Sequence, residues 1–208
     1  MDAPTQIRHG ADSVEPSIRE AQERYLLSGP SSIHQGFRNV IKALVKNGFT
    51  KPIPNDSYAD ALFLTDIMLE HTDRNFRMLT GPGGDGFIST LRPNFEKMLD
   101  RLSSRGGNAR IILLRLEHDS AVNLPCLDEL KKLFSTSFDF ATGKSEQAQR
   151  HFIVSDSQML RIEEEHPPLK PSSPANTIKA QVYIDAPLRA RILEENFDRV
   201  WNILRPEK

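Results

Sequence analysis

The chain has a single cysteine, no long apolar run and almost no surplus of charge. With only Cys126, an internal disulfide and a cysteine-rich zinc site are both excluded, which fits a reducing compartment. No stretch approaches the roughly 20 apolar residues of a membrane span, and the first ten residues contain no apolar signal region. We therefore expect a soluble protein of a bacterial-type cytoplasm, without a membrane partner.

The near balance of charge limits the macromolecular partners. The 27 Lys and Arg residues and the 28 Asp and Glu residues give a formal net charge of −1, so no overall positive field attracts nucleic acid. Aromatic residues, on which single-stranded bases stack, make up only 7% of the chain. A nucleic-acid-binding subunit is therefore the least favoured class.

The pattern of the chain changes near residue 56. Before it, helices are predicted over 14–27 and 31–46, and two prolines in 49–56 indicate a connector. After it, helices alternate with short apolar runs, which is typical of a mixed sheet covered by helices. We predict an N-terminal helical extension and linker at 1–56 and an α/β domain at 57–208.

Within the α/β domain, the apolar pattern distinguishes the two kinds of element. Helices are predicted over 58–71, which is apolar, over 87–104 and 125–134, and over 187–204, where the apolar face fits a 3.6-residue period. Short apolar runs predict strands over 75–80, 109–114, 137–141, 151–155, 159–163 and 178–184. The prolines between 165 and 176 predict a loop before the last strand.

The strand at 151–155 carries the strongest functional signal. Gln149, His151 and Asp156 follow one another at spacings of two and five residues around this strand. The segment resembles the HxKxxxxD strand of the phospholipase D superfamily. Gln149 then stands at the position of the histidine, His151 at that of the lysine and Asp156 at that of the aspartate. Of the three, only Asp156 keeps the residue type of the family.

The resemblance covers about residues 57–204 and implies one half of a phospholipase D-like fold. In that family two halves, from one chain or from a homodimer, bring two histidines to a phosphodiester. One histidine attacks phosphorus, the other protonates the leaving oxygen, and the lysines neutralise the phosphoryl oxygens. A single half therefore implies a homodimer for any composite site.

The degenerate motif implies that this chemistry is absent. Beyond the aspartate, the small residues of the family are replaced by Arg161-Ile162-Glu163-Glu164-Glu165, and carboxylates in a phosphate pocket repel the substrate. The resemblance thus favours a pseudoenzyme, a non-catalytic binding or regulatory protein that acts through a ligand or a partner. We expect a homodimer or a subunit of a larger complex.

Residues around this strand and one glycine-rich loop are the candidate ligand-binding residues. Side chains alternate along a strand, so Gln149 and His151 share one face, as do Arg161 and Glu163. The loop at 81–86 offers backbone N–H groups for an anion, although its spacing matches neither phosphate-binding glycine motif. The candidates are Gln149, His151, Asp156, Arg161, Glu163, Gly83 and Gly84.

Three other interpretations stay open. A divergent phosphodiesterase or nuclease would act as a homodimer through His151 and Asp156, and a nucleic-acid-binding subunit would bind without cleavage. His151 is otherwise a structural residue, hydrogen-bonded at the mouth of the sheet. No cofactor is expected. No metal is expected either, because the chain lacks HxxxH and HxH pairs, while His118 and Asp119 are adjacent on a loop.

Overall fold

The computed structural model describes residues 15–116, 123–145, 150–166 and 169–205. Its helices are α1 (Ile18–Ser28), α2 (Ser32–Lys46), α3 (Tyr58–His71), α4 (Gly84–Thr90), α5 (Arg92–Arg105), α6 (Pro125–Leu133) and α7 (Pro187–Leu204). Its strands are β1 (Ile53–Asn55), β2 (Asn75–Thr80), β3 (Asn108–Leu116), β4 (Phe138–Ser145), β5 (Phe152–Ser155), β6 (Met159–Glu163) and β7 (Ala180–Tyr183).

The described strands form one mixed sheet in the order β1-β7-β6-β5-β2-β3-β4. Strands β2, β3 and β4 are parallel to one another. Strand β5 lies antiparallel to β2, and β6, β7 and β1 continue the sheet with antiparallel pairing. The predicted α/β class, a mixed sheet flanked by helices, is confirmed.

The two faces of the sheet carry separate hydrophobic cores because side chains alternate along each strand. One core contains Phe76 and Ile153 and includes side chains of α3 and α5. The other contains Val154 and is covered by α7 through Phe197 and Trp201. His151 is two residues from Ile153 and therefore belongs to the face that α3 covers. None of the described helices is long and apolar enough to cross a membrane.

The single helix predicted over 87–104 is wrong, because the structure has two helices there. Helix α4 ends at Thr90 and α5 begins at Arg92, with Leu91 between them. Pro93 lies in the first turn of α5, where a backbone N–H has no partner within the helix and its absence costs nothing. In one continuous helix over 87–104, the same proline would remove a backbone hydrogen bond. The proline therefore separates the two helices.

The N-terminal segment contacts the rest of the chain. Helix α1 packs on α3 and α4, and α2 packs on α3. Strand β1, which lies in the segment expected to be a connector, pairs with β7 at the edge of the sheet. An edge position tolerates Pro54, whose nitrogen cannot donate to a ladder. The division into two domains stays a prediction.

Two amphipathic helices bury only part of their apolar faces. On α2, Ile41 is buried, whereas Phe37 is 56% exposed. On α7, Phe197 and Trp201 are buried, whereas Leu188 is 76% exposed. The apolar pattern therefore identified the helices correctly but did not define how much of each face is buried.

Candidate functional site

The hairpin of β5 and β6 places His151 opposite Glu163. Phe152 pairs with Ile162 in the ladder, and the N–H of Glu163 donates to the carbonyl of His151 at 2.9 Å. The turn contains Asp156 and Ser157 with φ of 52° and 53°, and two successive positive φ values are typical of a tight type I′ hairpin. This turn sets the register that joins the two side chains.

Four side chains form the Glu163 cluster, which consists of Glu163, His151, His166 and Arg161. Oε2 of Glu163 accepts from Nδ1 of His151 at 2.8 Å and from Nε2 of His166 at 2.9 Å. Oε1 of Glu163 accepts from Nη1 of Arg161. Nε of Arg161 donates to Oδ1 of Asn55 at 2.7 Å, so β1 holds the guanidinium from the edge of the sheet.

The cluster keeps Glu163 ionised although its side chain is buried. Burial alone would raise the pKa of Glu163, but the charge of Arg161 and the hydrogen bonds from His151 and His166 hold this pKa well below its usual range. The carboxylate in turn neutralises Arg161, whose side chain is only 3% exposed. The cluster is therefore a balanced ion pair with two imidazoles attached to it.

A cavity of about 260 Å³ lies beside the Glu163 cluster. Its walls come from the loop after β2, the start of α3, helix α1 and the segment before β7. The lining includes Ile18, Tyr58, Gly81, Gly83, Gly84, Phe87, Arg115, Leu169 and Lys170. Gln22 donates to the hydroxyl of Tyr58 at 2.8 Å, which fixes α1 over this opening.

Gly81 allows the loop after β2 to approach His151 closely. A Cβ at Gly81 would lie 3.2 Å from both Cε1 and Nε2 of the His151 ring. That separation is tighter than ordinary van der Waals contact, so any other residue would push the ring away. The imidazole is thus held by Glu163 on one side and by a glycine backbone on the other.

One donor at the cavity has no acceptor. Nη2 of Arg161 is buried and finds no hydrogen-bond partner among the described residues. Buried polar atoms are nearly always paired in proteins, with protein groups, water or a ligand. Arg161 lines the cavity, but this nitrogen has less than 1 Å² of accessible surface, so a ligand oxygen reaches it only if a neighbouring group moves.

The structure brings most of the predicted site residues together. His151, Arg161, Glu163, Gly83 and Gly84 all line the cavity. Gln149 lies outside the described residues, as do His118 and Asp119.

Asp156 lies at the opposite end of β5 from this cavity. Its carboxylate accepts hydrogen bonds from the backbone N–H groups of Asp73, Arg74 and Asn75, each at 2.8 Å. These bonds tie the hairpin turn to the start of β2. The position of Asp156 thus fits a structural role, and a part in ligand binding stays a prediction.

Sequence reasoning missed His166 and Lys170. Both belong to the proline-rich segment that was predicted only as a loop, and such a segment has no periodicity from which to place side chains. The sequence does place His166 three residues after Glu163. This spacing indicates a contact between the two side chains only once β6 is known to end at Glu163.

Comparison with solved structures identifies the fold. Nuc from Salmonella typhimurium, a phospholipase D family member, has a TM-score of 0.50 at 15% identity, over 73% of this chain and 95% of that chain. NucT from Helicobacter pylori has a TM-score of 0.50 at 11% identity, over 72% of this chain and 94% of that one. TrmBL2, an archaeal chromatin protein, has a TM-score of 0.53 at 15% identity and is matched over 89% of this chain.

The chain has a phospholipase D-like fold. At these low identities the likeness concerns the fold and carries no residue roles. This chain spans 66% of the length of TrmBL2. No family model and no curated protein matches this chain.

Proposed function

We propose that this chain is a non-catalytic phospholipase D-like protein that binds a small ligand in the cavity beside Glu163. The cavity itself carries this proposal, because charged side chains stand in an otherwise mostly apolar wall. The ligand that occupies it is the signal for a regulatory role.

The lining of the cavity supports an anionic ligand with an apolar body. Arg115 and Lys170 bring positive charge to the wall, while Arg161 and Glu163, the acidic side chain among the described lining residues, balance each other. Apolar groups form most of the remaining surface, including Phe87 and Leu169. Ligand pockets commonly combine such an apolar wall with a few polar groups that fix orientation.

The environment of His151 argues against phosphodiester hydrolysis. Its Nδ1 lies 2.8 Å from the carboxylate of Glu163, which is itself balanced by Arg161. The cluster therefore brings no net positive charge to His151 for the negative charge that develops on phosphoryl oxygens in the transition state. The lysine that neutralises phosphoryl oxygens in the family is replaced at this position by His151 itself.

A divergent phosphodiesterase is the second candidate, and the same pair of side chains favours it. A carboxylate that holds Nδ1 of an imidazole orients the ring and leaves Nε2 as the nucleophile or base. Nε2 of His151 would attack phosphorus, form an N–P bond and expel an alkoxide that a second acid must protonate. That acid would come from a second copy of the chain.

The remaining proposals concern partners and location. We propose a cytoplasmic homodimer or a subunit of a larger complex. DNA binding is described for TrmBL2, but the net charge of −1 makes the same role less favoured in this chain.

Calorimetric titration with bis(4-nitrophenyl) phosphate tests the proposal, since this probe joins two aromatic rings to one anionic phosphate. Gly83→Gln puts a side chain at the cavity wall, and Gly36→Gln is the matched control on α2. An added Cβ meets no atom within 4 Å at either position.

We expect the wild type and Gly36→Gln to bind the probe equally, and Gly83→Gln to bind it at least about 10-fold more weakly. Equal binding by all three chains, or no binding at millimolar probe, would contradict the proposed site. Hydrolysis of the probe that His151→Ala abolishes would favour the second candidate instead.

A further inference from the structure

Three atoms of metal-ligand type converge at the edge of the cavity. His151, Glu163 and His166 each offer one ligand atom, and these atoms lie within 4.8 Å of one another. Oε2 of Glu163 lies 2.8 Å from Nδ1 of His151 and 2.9 Å from Nε2 of His166. Two imidazoles and one carboxylate form the ligand set of a class of zinc sites in which a fourth position stays open. All three side chains line the cavity, so an ion held by them would face it.

We propose that His151, Glu163 and His166 bind a divalent transition-metal ion, with Zn²⁺ as the best match, and that its open coordination position faces the cavity. The sequence predicted no metal because these residues lack a local ligand spacing. The hairpin supplies the proximity instead, since it pairs His151 with Glu163 across two strands, and the chain after β6 returns His166 to the same carboxylate.

Small movements convert the hydrogen-bonded cluster into a coordination site. Zinc lies about 2.0–2.2 Å from nitrogen and oxygen ligands, which places neighbouring ligand atoms of a tetrahedron roughly 3.4 Å apart. The two nitrogen–oxygen distances are 2.8 and 2.9 Å, so each pair opens by about half an ångström. A neutral imidazole has one hydrogen on its two nitrogens, and a shift of tautomer frees the required lone pair without loss of a proton.

Arg161 holds the carboxylate in an orientation that suits a metal. It donates to Oε1 of Glu163 and is itself held by Asn55, which leaves Oε2 turned toward the two imidazoles. Outer partners of this kind fix the geometry of metal-binding side chains. Because Arg161 already balances Glu163, a bound dication adds positive charge that an anionic ligand in the cavity would offset. That last step rests on the proposed function.

Zinc titration of the tag-free, chelator-treated chain tests the site, with cobalt absorption as a second readout of coordination geometry. We expect one ion per chain. His166→Ala should weaken binding by more than the 10–100-fold that loss of an outer partner typically causes. His34→Ala is the matched control, since Nε2 of His34 also lies 2.8 Å from a carboxylate, that of Asp60, but outside the cluster.

The variants are chosen so that a folding defect does not imitate a lost ligand. Glu163→Gln leaves Arg161 without a counter-charge, so His166→Ala is the main variant, and circular dichroism checks that it is folded. Absence of zinc binding by the wild type would overturn the proposal. Unchanged affinity in folded His166→Ala, or an equal loss in His34→Ala, would overturn it as well.

The same preparations separate this inference from the proposed function. If the chelator-treated chain binds bis(4-nitrophenyl) phosphate but no zinc, the metal site fails and the ligand cavity stands. If the chain binds zinc but no phosphodiester probe in either state, the metal site stands and the proposed ligand class fails.

Discussion

Glu163 accepts hydrogen bonds from three side chains while it is almost fully shielded from water. The negative charge of Glu163 neutralises Arg161, which is buried beside it. An ion pair of this kind contributes little compared with a well-packed apolar pair, yet the loss of one partner is strongly destabilising. The interaction of Glu163 with Arg161 thus has consequences for stability apart from any ligand.

Glu163→Gln removes the charge and keeps the size of the side chain. We expect the free energy of unfolding to fall by about 3–5 kcal/mol, because the Arg161 guanidinium stays buried without a counter-charge. Urea denaturation measures the change. Glu164→Gln is the control, since the neighbouring Glu164 is exposed and should change stability by no more than about 0.5 kcal/mol. Similar small losses in both variants would show that the buried pair is not balanced in this way.

Asp156→Ala should lower stability and leave the cavity intact. Three backbone N–H groups lose their acceptor, and because this end of β5 is partly exposed we expect a loss of about 1–3 kcal/mol. Asp156→Asn should lose less, because asparagine keeps one acceptor oxygen and tolerates positive φ. Denaturation and probe titration are compared for each variant. Weaker probe binding at unchanged stability would place Asp156 in the binding function instead.

Helix α2 is attached to α3 by polar contacts as well as by the buried Ile41. Arg38 contacts Asp66 at 2.6 Å and also Glu70, Lys42 lies 2.9 Å from Glu70, and His34 lies 2.8 Å from Asp60. Because half of its apolar face is exposed, these pairs contribute to how firmly the helix is held. The partly exposed pairs of Asp60 and Glu70 contribute less than about 1 kcal/mol each, whereas Asp66 is buried.

Acid should therefore release α2 before the core helices. Burial would raise the pKa values of Asp60 and Glu70, but hydrogen bonds and nearby positive charges outweigh burial and lower both. Groups with lowered pKa values stabilise the fold above their unfolded pKa values of about 4, and this stabilisation is lost as pH falls through the folded values. Hydrogen exchange, corrected for intrinsic rates, should show α2 losing protection relative to α5. Parallel loss in both helices would contradict this attachment.

Elements with a clear apolar segment could be predicted from the sequence with their boundaries, whereas interruptions within such a segment could not. Helix α3, strand β6 and helix α7 have the predicted limits. The apolar segment of α3 is almost continuous, and the apolar face of α7 keeps a 3.6-residue period. The break between α4 and α5 was missed, since the apolar period continues across Pro93 and only the backbone chemistry of proline interrupts it. Strand β1 was missed because its three residues gain their partners from β7, far along the chain.

For the whole molecule, the fold could be predicted because the alternation of helices and apolar runs after residue 57 indicated a mixed sheet, and this succession together with the strand at 151–155 resembled the phospholipase D fold. The candidate site was only partly predictable. His151 and Glu163 were both candidates, but their contact depends on the hairpin register, and the place of His166 depends on a loop without a regular pattern. The cavity also needs α1, which the sequence assigned to a separate extension, although Ile18 lies in its wall.

Rapid mixing of stoichiometric protein with bis(4-nitrophenyl) phosphate decides whether this fold binds without catalysis. A nucleophilic histidine releases nitrophenolate in a burst even when the second chemical step is slow. We predict neither a burst nor steady turnover in the wild type, with the same trace from His151→Ala. A burst that approaches one nitrophenolate per site and disappears in His151→Ala would contradict the account and establish a phosphodiesterase.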